Sequence, residues 1–396
     1  FALIFSLLFL FTSCNMEADP EEESWDSDFP PAASDSEEDE DSSALHITEF
    51  SLPYLSSQTL DPINCIDGVQ QNVSALLYEG LFVLDEHFDA HNVLCESYQY
   101  DTEALRYTFF LREGITFSDG SSFTAQDVLA TYRRAMASER YSARFKDVAS
   151  IRASDTHTLV ITLNNGNSAF PSLLDIPIVK SGSEEDLVPL GTGPYLFVSD
   201  STGASLLANT AWWQHKKLPL SRISLFPSKD NDTAMHLFSS YDVHFLRVDP
   251  TGAATIPSVG EISFTDFSTP TMQFLGFNMS DSLLSQPEVR AAMNCVIERD
   301  GLVSAYLSGH GTAAQFPISP SSALYPDALE ETLSPADYAT LLAEQGIEAE
   351  HPRTLTLLVN EENSFKNSLA DALCEQLSSP GLSVVKKALP WTEYLS

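Results

Sequence analysis

The sequence has little positive charge, and the apolar run at its start is too short to cross a membrane. Its 396 residues hold 20 Lys and Arg against 56 Asp and Glu, which gives a formal net charge of -36. Nucleic-acid binders collect basic residues against phosphate, so this composition argues against a nucleic-acid partner. The apolar run at residues 1–11 is shorter than the roughly 20 residues that a membrane-spanning helix needs.

The motifs of common catalytic and metal sites are also lacking. There is no Walker motif, no GxSxG nucleophile elbow and no HExxH pair. Asp119 and Asp127 are explained by a turn and a helix cap. His87, His91 and Cys95 lie four residues apart, but the DEHFDAHN stretch favours a loop, where this spacing does not gather ligands. We predict no enzyme, no metal site and no cofactor.

The first 45 residues have the features of an export leader and a tether. Residues 1–13 contain the apolar core of a signal peptide, without an initiator Met or a basic start, so we expect that the natural beginning is missing. Thr12 and Ser13 lead into Cys14, which resembles a lipoprotein lipidation site; a plain signal peptide with an incidental Cys is the alternative. Residues 14–45 are acidic and poor in apolar groups, which predicts a disordered tether.

Four further cysteines leave their redox state open. Cys65, Cys95, Cys295 and Cys374 form no CxxC pair and have no metal-like spacing. Export permits disulfides, but the sequence does not pair these residues. Buried free thiols are an equal alternative.

From residue 46 onward, strand-like and helix-like segments alternate, which predicts an α/β protein. Residues 107–111 have the bulky apolar side chains of a strand, and Asp119-Gly120 indicates a turn. Helices are predicted from Thr124, capped with the help of Asp127, from Pro287, and over residues 368–377. The glycines of GTGPY, residues 191–195, predict a tight turn or a close approach of strands.

Several stretches together resemble one protein family. They are LYEGLFVLDEHFDAHNVLCESY at 77–98, YTFFLREGITFSDGSSFTAQDVLATYRRAM at 107–136, GTGPYLF at 191–197, NTAWW at 209–213, FLGFNMS at 274–280 and PEVRAAMNCVIERDGLV at 287–303. In order and spacing they are similar to family 5 of the bacterial extracellular solute-binding proteins, whose best-known members bind oligopeptides and dipeptides. The resemblance covers about residues 47–395.

This resemblance implies a two-lobed fold of the type II periplasmic-binding-protein class, with an extra subdomain in the first lobe. The first lobe would use residues 46–76 and 189–270, the extra subdomain residues 77–188, and the second lobe residues 271–396. Family members are longer, so we expect the second lobe to be incomplete.

The resemblance also implies a function and a set of binding residues. It implies a monomeric, lipid-anchored subunit on the outer face of the cell membrane that binds oligopeptides for the permease and ATPase subunits of an ABC importer. The expected ligand-binding residues are Ser56, Ser57, Arg247, Met272, Gln273, Phe274, Phe365 and Trp391. Among these, residues 272–274 would form a crossover strand and Arg247 would meet a ligand carboxylate. Phe365 and Trp391 are alternatively core residues, and Arg247 a solvated surface residue.

An extended peptide would add to strand edges in the cleft, and the lobes would close on it by a hinge motion. Three alternatives stay open. The same fold could bind a nickel chelate or an oligosaccharide, since relatives differ mostly in their pocket residues. A secreted hydrolase, or a receptor-signalling protein without transport, would also be compatible with an exported acidic chain.

Overall fold

Strands and helices alternate through the chain, as the sequence predicts. The computed structural model describes residues 49–65, 67–252, 262–267, 269, 271–329 and 338–395. Residues 1–48 lie outside the described residues, so the expected signal peptide (1–13), the expected lipidation site Cys14 and the expected tether (14–45) do too.

Twelve strands and eight helices are found in the described residues. The strands are β1 (Ser51–Leu55), β2 (Phe82–Leu84), β3 (Ala90–Asn92), β4 (Cys95–Asp101), β5 (Arg106–Leu111), β6 (Val148–Ala153), β7 (Thr158–Leu163), β8 (Tyr195–Asp200), β9 (Gly203–Ala208), β10 (Arg222–Ser228), β11 (Arg353–Asn360) and β12 (Leu382–Leu389). The helices are α1 (Gly68–Ser74), α2 (Ala125–Ala137), α3 (Asn231–Ser239), α4 (Pro287–Val296), α5 (Arg299–Leu307), α6 (Tyr338–Glu344), α7 (Ser364–Leu377) and α8 (Trp391–Tyr394).

The first sheet combines strands from distant parts of the sequence. Its order is β1-β10-β9-β8, with β1 parallel to β10 and the other neighbours antiparallel. Leu52 on β1, Leu206 on β9 and Ile223 on β10 are buried together in its core. Because β1 comes before residues 77–188 and its sheet partners come after them, that stretch is inserted into the sheet's chain order.

A second sheet lies within the inserted stretch. It is antiparallel, in the order β4-β5-β7-β6, and α2 packs against it. The helix begins after Thr124, whose backbone amide and hydroxyl both donate to Asp127 Oδ2, at 2.9 and 2.7 Å. The predicted capped helix and the predicted strand, extended by Arg106, are both confirmed. Tyr107 and Tyr132 are among the large side chains that this core buries completely.

The third sheet is a parallel pair, β11 and β12, connected by α7. Helix α4 begins at Pro287 as predicted. The prediction that the later helix starts at residue 368 is wrong, because it starts at Ser364, one turn earlier. Asn363 caps this start: its side chain accepts a hydrogen bond from the Lys366 amide at 2.7 Å.

The described residues fall into a first part, 49–267, and a second part, 271–395, that do not share a hydrophobic core. Three clusters of buried apolar residues lie within residues 50–246. The fourth lies within residues 275–384 and is built by β11, β12, α4, α6 and α7. In the described residues, none of these clusters combines side chains from both parts.

The GTGPY segment passes directly over the end of the turn that follows α1. A Cβ atom added to Gly193 would lie 2.5 Å from the Leu77 carbonyl carbon and 2.6 Å from its oxygen, and one on Gly191 would overlap the same oxygen. The Gly193 amide donates to Leu77 O at 2.9 Å. The glycines therefore permit a close approach, as predicted, but the neighbour is the turn after α1 and not a strand.

The Glu79 carboxylate binds the same region from the other side. Its Oε1 accepts from Trp212 Nε1 at 3.1 Å and from Gln214 Nε2 at 3.2 Å. Its Oε2 accepts from Thr192 Oγ1 at 2.9 Å and Trp213 Nε1 at 2.8 Å. Burial raises the pKa of the Glu79 carboxyl, while these four hydrogen bonds oppose that rise. One side chain thus holds both the GTGPY and the NTAWW segments.

Gly191→Ala should lower the free energy of unfolding by about 1–3 kcal/mol or more, because the new Cβ overlaps backbone that cannot move away cheaply. Gly68→Ala is the matched control, since no atom lies within 4 Å of its Cβ position. We expect its effect to stay within about 0.5 kcal/mol. Urea unfolding of both variants measures the difference, and equal stabilities would contradict the close approach.

Glu79→Gln should lower the free energy of unfolding by about 1–3 kcal/mol. In either orientation of the new amide, its NH2 group faces two hydrogen-bond donors and leaves them without an acceptor. Glu103→Gln, on an exposed turn, should change it by less than about 0.5 kcal/mol. Denaturant midpoints at neutral pH test this, and a Glu79→Gln protein as stable as the parent would show that the four contacts do not form.

Candidate functional site

Four of the eight expected binding residues lie at the carboxyl ends of the two parallel strand pairs. Ser56 and Ser57 follow directly after β1, which is parallel to β10. Phe365 lies in the first turn of α7, after β11, and Trp391 begins α8, after β12. Ligands of open α/β sheets bind outside the carboxyl ends of parallel strands. The two ends are therefore the candidate ligand-binding face of each part.

The turn at Ser56 and Ser57 is held by a buried glutamine. Gln70 on α1 has no exposed surface, and its Oε1 accepts from the Leu55 amide at 2.8 Å. Its Nε2 donates to Gln58 O at 3.0 Å. Both serines stay exposed above this support. Sequence reasoning missed Gln70, because a glutamine in an amphipathic helix carries no sign of which backbone groups it will meet.

Arg247 lies beside the same turn. The preceding Leu246 packs against the cluster of Leu55, Val69 and Ala234, which positions this segment next to the end of β1. The Arg247 side chain is exposed, and its guanidinium lies 4.9 Å from the centre of the Phe267 ring. An aromatic contact of this kind holds the guanidinium plane while its N–H donors remain available to a carboxylate.

One hydrogen bond connects the segment that follows Arg247 to the loop that precedes Phe365. Asn363, which caps α7, donates from Nδ2 to the Thr251 carbonyl at 3.0 Å. Thr251 lies four residues after Arg247, and Asn363 lies two residues before Phe365. The structure thus brings the Arg247 segment and the loop after β11 together, although they are more than 100 residues apart in sequence.

Trp391 is half exposed and stacks on Tyr394, with ring centres 5.9 Å apart. Its backbone amide donates to Glu362 Oε1 at 3.1 Å, which ties α8 to the loop after β11. Phe365 is partly buried. Neither aromatic residue belongs to the core cluster of the second part.

Residues 272–274 do not form the expected crossover strand. Phe274 is 82% exposed, Gln273 is exposed, and Met272 is partly buried. A strand needs a hydrogen-bonded neighbour, and none of the described residues supplies a ladder partner here. The Phe274 ring is therefore not committed to a core.

Further exposed aromatic rings occur along the same stretch of chain, and sequence reasoning did not single them out. They are Tyr241, Phe245, Phe264 and Phe267, exposed by 61, 47, 56 and 59%. Apolar and aromatic side chains line most ligand sites in proteins. The sequence did not reveal that these rings are exposed, because phenylalanines that are buried in a core have similar neighbours in sequence.

The polar residues that resembled catalytic or metal-binding groups have structural roles. Asp127 caps α2, and Asp119 accepts from the Ser121 amide at 2.9 Å within its turn, so both structural interpretations are confirmed. His91 Nε2 contacts Asp85 Oδ2 at 2.8 Å across the β2–β3 hairpin. In the part of the chain that the structure describes, no three potential ligands are grouped to hold a metal ion.

The four described cysteines are free thiols, which is the second of the two alternatives. Burial raises the pKa of the Cys65 thiol to about 11 and that of Cys95 to about 12. A thiol of such high pKa is a poor nucleophile at neutral pH.

A cavity of about 390 Å³ lies elsewhere, between Leu77, residues 188–191 and the β8 strand. It does not include any of the expected binding residues. We place the candidate site at the carboxyl ends of the parallel strands instead, because Ser56, Ser57, Phe365 and Trp391 follow those strands. Among the described helices, none has both the length and the hydropathy that crossing a bilayer requires.

Comparison with known proteins gives one family. Residues 89–396 match the model of the bacterial extracellular solute-binding proteins, family 5 Middle. The chain is 30% identical over 349 residues to the glutathione-binding protein GsiB of Shigella flexneri serotype 5b, covering 84% of this chain and 67% of that protein. The corresponding protein of Escherichia coli K12 is 30% identical over 348 residues, with the same coverage.

Solved structures show the same fold at lower identity. The ABC transporter substrate-binding protein CtaP of Listeria monocytogenes matches with a TM-score of 0.70 and 21% identity, over 87% of this chain and 74% of that one. NikA of Brucella suis, solved with Fe(III)-EDTA, gives 0.66 and 17%, over 87% and 76%. The oligopeptide-binding protein AppA of Bacillus subtilis, solved with a nonapeptide, gives 0.55 and 20%, over 88% and 74%. The expected α/β fold, type II of the periplasmic solute-binding proteins, is confirmed.

Proposed function

Because the chain belongs to the bacterial extracellular solute-binding proteins, family 5, we propose that it captures short peptides for an ABC importer. Family members are substrate-binding subunits and not enzymes. The ligand would lie between the carboxyl ends of the two parallel strand pairs, where Ser56, Ser57, Arg247, Phe274 and Trp391 are exposed.

The observation that carries this proposal is the Asn363–Thr251 hydrogen bond, which joins the segment after Arg247 to the loop before Phe365. Since the parts have separate cores, a ligand between them can be enclosed by a hinge motion without disrupting either core. This geometry supports capture of an extended ligand that touches both parts.

Arg247 supports a ligand with a free carboxylate. Its guanidinium is held by the Phe267 ring and can form two parallel hydrogen bonds to a carboxylate. Backbone hydrogen bonds contribute about 0.5–1.5 kcal/mol each, so six of them, an assumed number, would supply roughly 3–9 kcal/mol. That range reaches micromolar affinity only at its upper end, so a charged contact must add to it.

Glutathione is a suitable first probe, because it is a tripeptide with free carboxylates and because the relatives of 30% identity are described as glutathione-binding proteins. A metal chelate is the second candidate, favoured by the fold similarity to NikA with Fe(III)-EDTA. The carboxylates of such a chelate would also pair with Arg247, so glutathione and a chelate would share this contact.

We also propose where the protein lies in the cell and how its chain divides into segments and lobes. Residues 1–13 would be a signal peptide, Cys14 a lipidated anchor on the outer face of the membrane, and 14–45 a tether. The first lobe would comprise residues 46–76 and 189–270, the extra subdomain 77–188 and the second lobe 271–396. The separate sheets and cores described above support these boundaries. A monomer would then deliver ligand to permease and ATPase subunits.

The identity of the ligand is tested by native mass spectrometry of the chain purified without denaturation. We expect co-purified peptides of a narrow length range, or glutathione after its addition. A metal chelate or a sugar in the same position would contradict the peptide assignment and leave the binding-protein fold intact.

Arg247→Ala should weaken glutathione binding by about 10- to 100-fold, because it removes a charged pair of hydrogen bonds. Arg247→Lys should lose part of that affinity, since a lysine keeps the charge without the fork. Arg222→Ala, at the opposite end of β10, is the matched control and should bind as the parent does. Calorimetric titration measures all three, and unchanged affinity in Arg247→Ala would remove this residue from the site.

A further inference from the structure

The expected binding serines lie at the centre of a tight turn. The Gln58 amide donates to the Leu55 carbonyl at 3.0 Å, so Ser56 and Ser57 are the two central residues of a β-turn. Leu55 is buried and belongs to a core cluster, whereas residues 56–58 are exposed. Within the turn, apolar packing therefore anchors only the first residue.

The side-chain amide of Gln70 bonds both ends of this turn. Its Oε1 accepts from the Leu55 amide at 2.8 Å. Its Nε2 donates to the Gln58 carbonyl at 3.0 Å and to the Thr59 carbonyl at 3.4 Å. Because Gln70 has no exposed surface, removal of its amide would leave backbone groups without a partner where water does not replace it.

Helix α1 holds the Gln70 amide in place. The helix is capped by Asp67, whose Oδ1 accepts from the Val69 amide at 2.8 Å. Val69 and Val73 are buried, and Val69 packs in the same cluster as Leu55. A group that is carried by a packed helix is positioned more precisely than one on a loop. Gln70 thus transfers the order of the helix to the turn.

Ser56 and Ser57 offer their hydrogen-bond donors to solvent. Both residues are exposed, and in the part of the chain that the structure describes neither their amides nor their hydroxyls donate to another residue. Two adjacent residues thus present two N–H and two O–H donors. Such a set suits an acceptor group, a carboxylate or a peptide carbonyl.

We propose that Gln70 is the positioning residue of the ligand-binding turn: it fixes Ser56 and Ser57 in the conformation in which their donors bind a carboxylate or carbonyl group of the ligand. The inference rests on the proposed function, since it takes the two serines as ligand contacts. A turn that is ordered before binding loses less conformational entropy when the ligand binds, which raises the affinity.

Calorimetric titration of the full chain with glutathione tests this role. Gln70→Met keeps the approximate shape of the side chain without its hydrogen bonds, and it should weaken binding about tenfold. Gln70→Glu keeps an acceptor for the Leu55 amide but has no donor for the Gln58 carbonyl, so it should also bind more weakly than the parent. Circular dichroism shows whether each variant is folded. If Gln70→Met is not, Gln70→Glu provides the same comparison.

Thr131→Val is the matched control. Thr131 on α2 is 1% exposed, and its hydroxyl donates to the Val179 carbonyl at 3.2 Å and accepts from the Val179 amide at 3.3 Å. Its replacement also removes bonds from a buried side chain to a backbone donor and a backbone acceptor, but neither bond reaches the turn. Both variants should unfold at lower urea concentration than the parent, and only Gln70→Met should lose affinity.

Hydrogen exchange of the backbone amides at residues 55–58 gives a measurement that needs no ligand. We expect these amides to exchange about fivefold faster in Gln70→Met than in the parent, the effect of losing one hydrogen bond. Thr131→Val should leave their exchange unchanged, because its bonds lie within the inserted stretch.

Glutathione binding by Gln70→Met as tight as that of the parent would overturn the proposal, and so would an equal loss of affinity in Thr131→Val. A parent protein that does not bind glutathione would refute glutathione as the ligand. The exchange measurement then decides on Gln70 by itself. Unchanged exchange at residues 55–58 in Gln70→Met would overturn its role, and faster exchange would support it.

Discussion

The Glu79 carboxylate is the contact on which the architecture of the first part depends. It lies where the chain leaves the first sheet's helix and enters the inserted stretch, and it binds four donors from residues 192–214, where the chain returns. Two indole N–H groups need an acceptor once they are shielded from water, and one carboxylate with two oxygens satisfies both.

In the first sheet β1 and β10 are parallel, so their carboxyl ends lie at the same edge. Each part has its own core, so their mutual position depends on a few polar contacts and not on shared apolar burial. That division suits a protein that must open to admit a ligand and close to retain it.

Local signals in the sequence predicted local structure well. Thr124 and Asp127 predicted a capped helix because the cap is made within four residues. The start of α7 was placed one turn too late, because Asn363 was not identified as its cap. The prediction of a strand at residues 272–274 was wrong, since a strand needs a hydrogen-bonded partner strand from elsewhere in the chain. Gln70 was missed for the same reason, because its partners lie in another loop.

The sequence by itself determined the family, the alternation of strands and helices, the close approach at GTGPY and the structural roles of Asp119 and Asp127. Each of these depends on contiguous motifs or on spacings of a few residues. Only the tertiary structure decided that Arg247 rests on Phe267 and that Asn363 meets Thr251. These contacts form between residues far apart in the chain, where side-chain identity does not specify the partner.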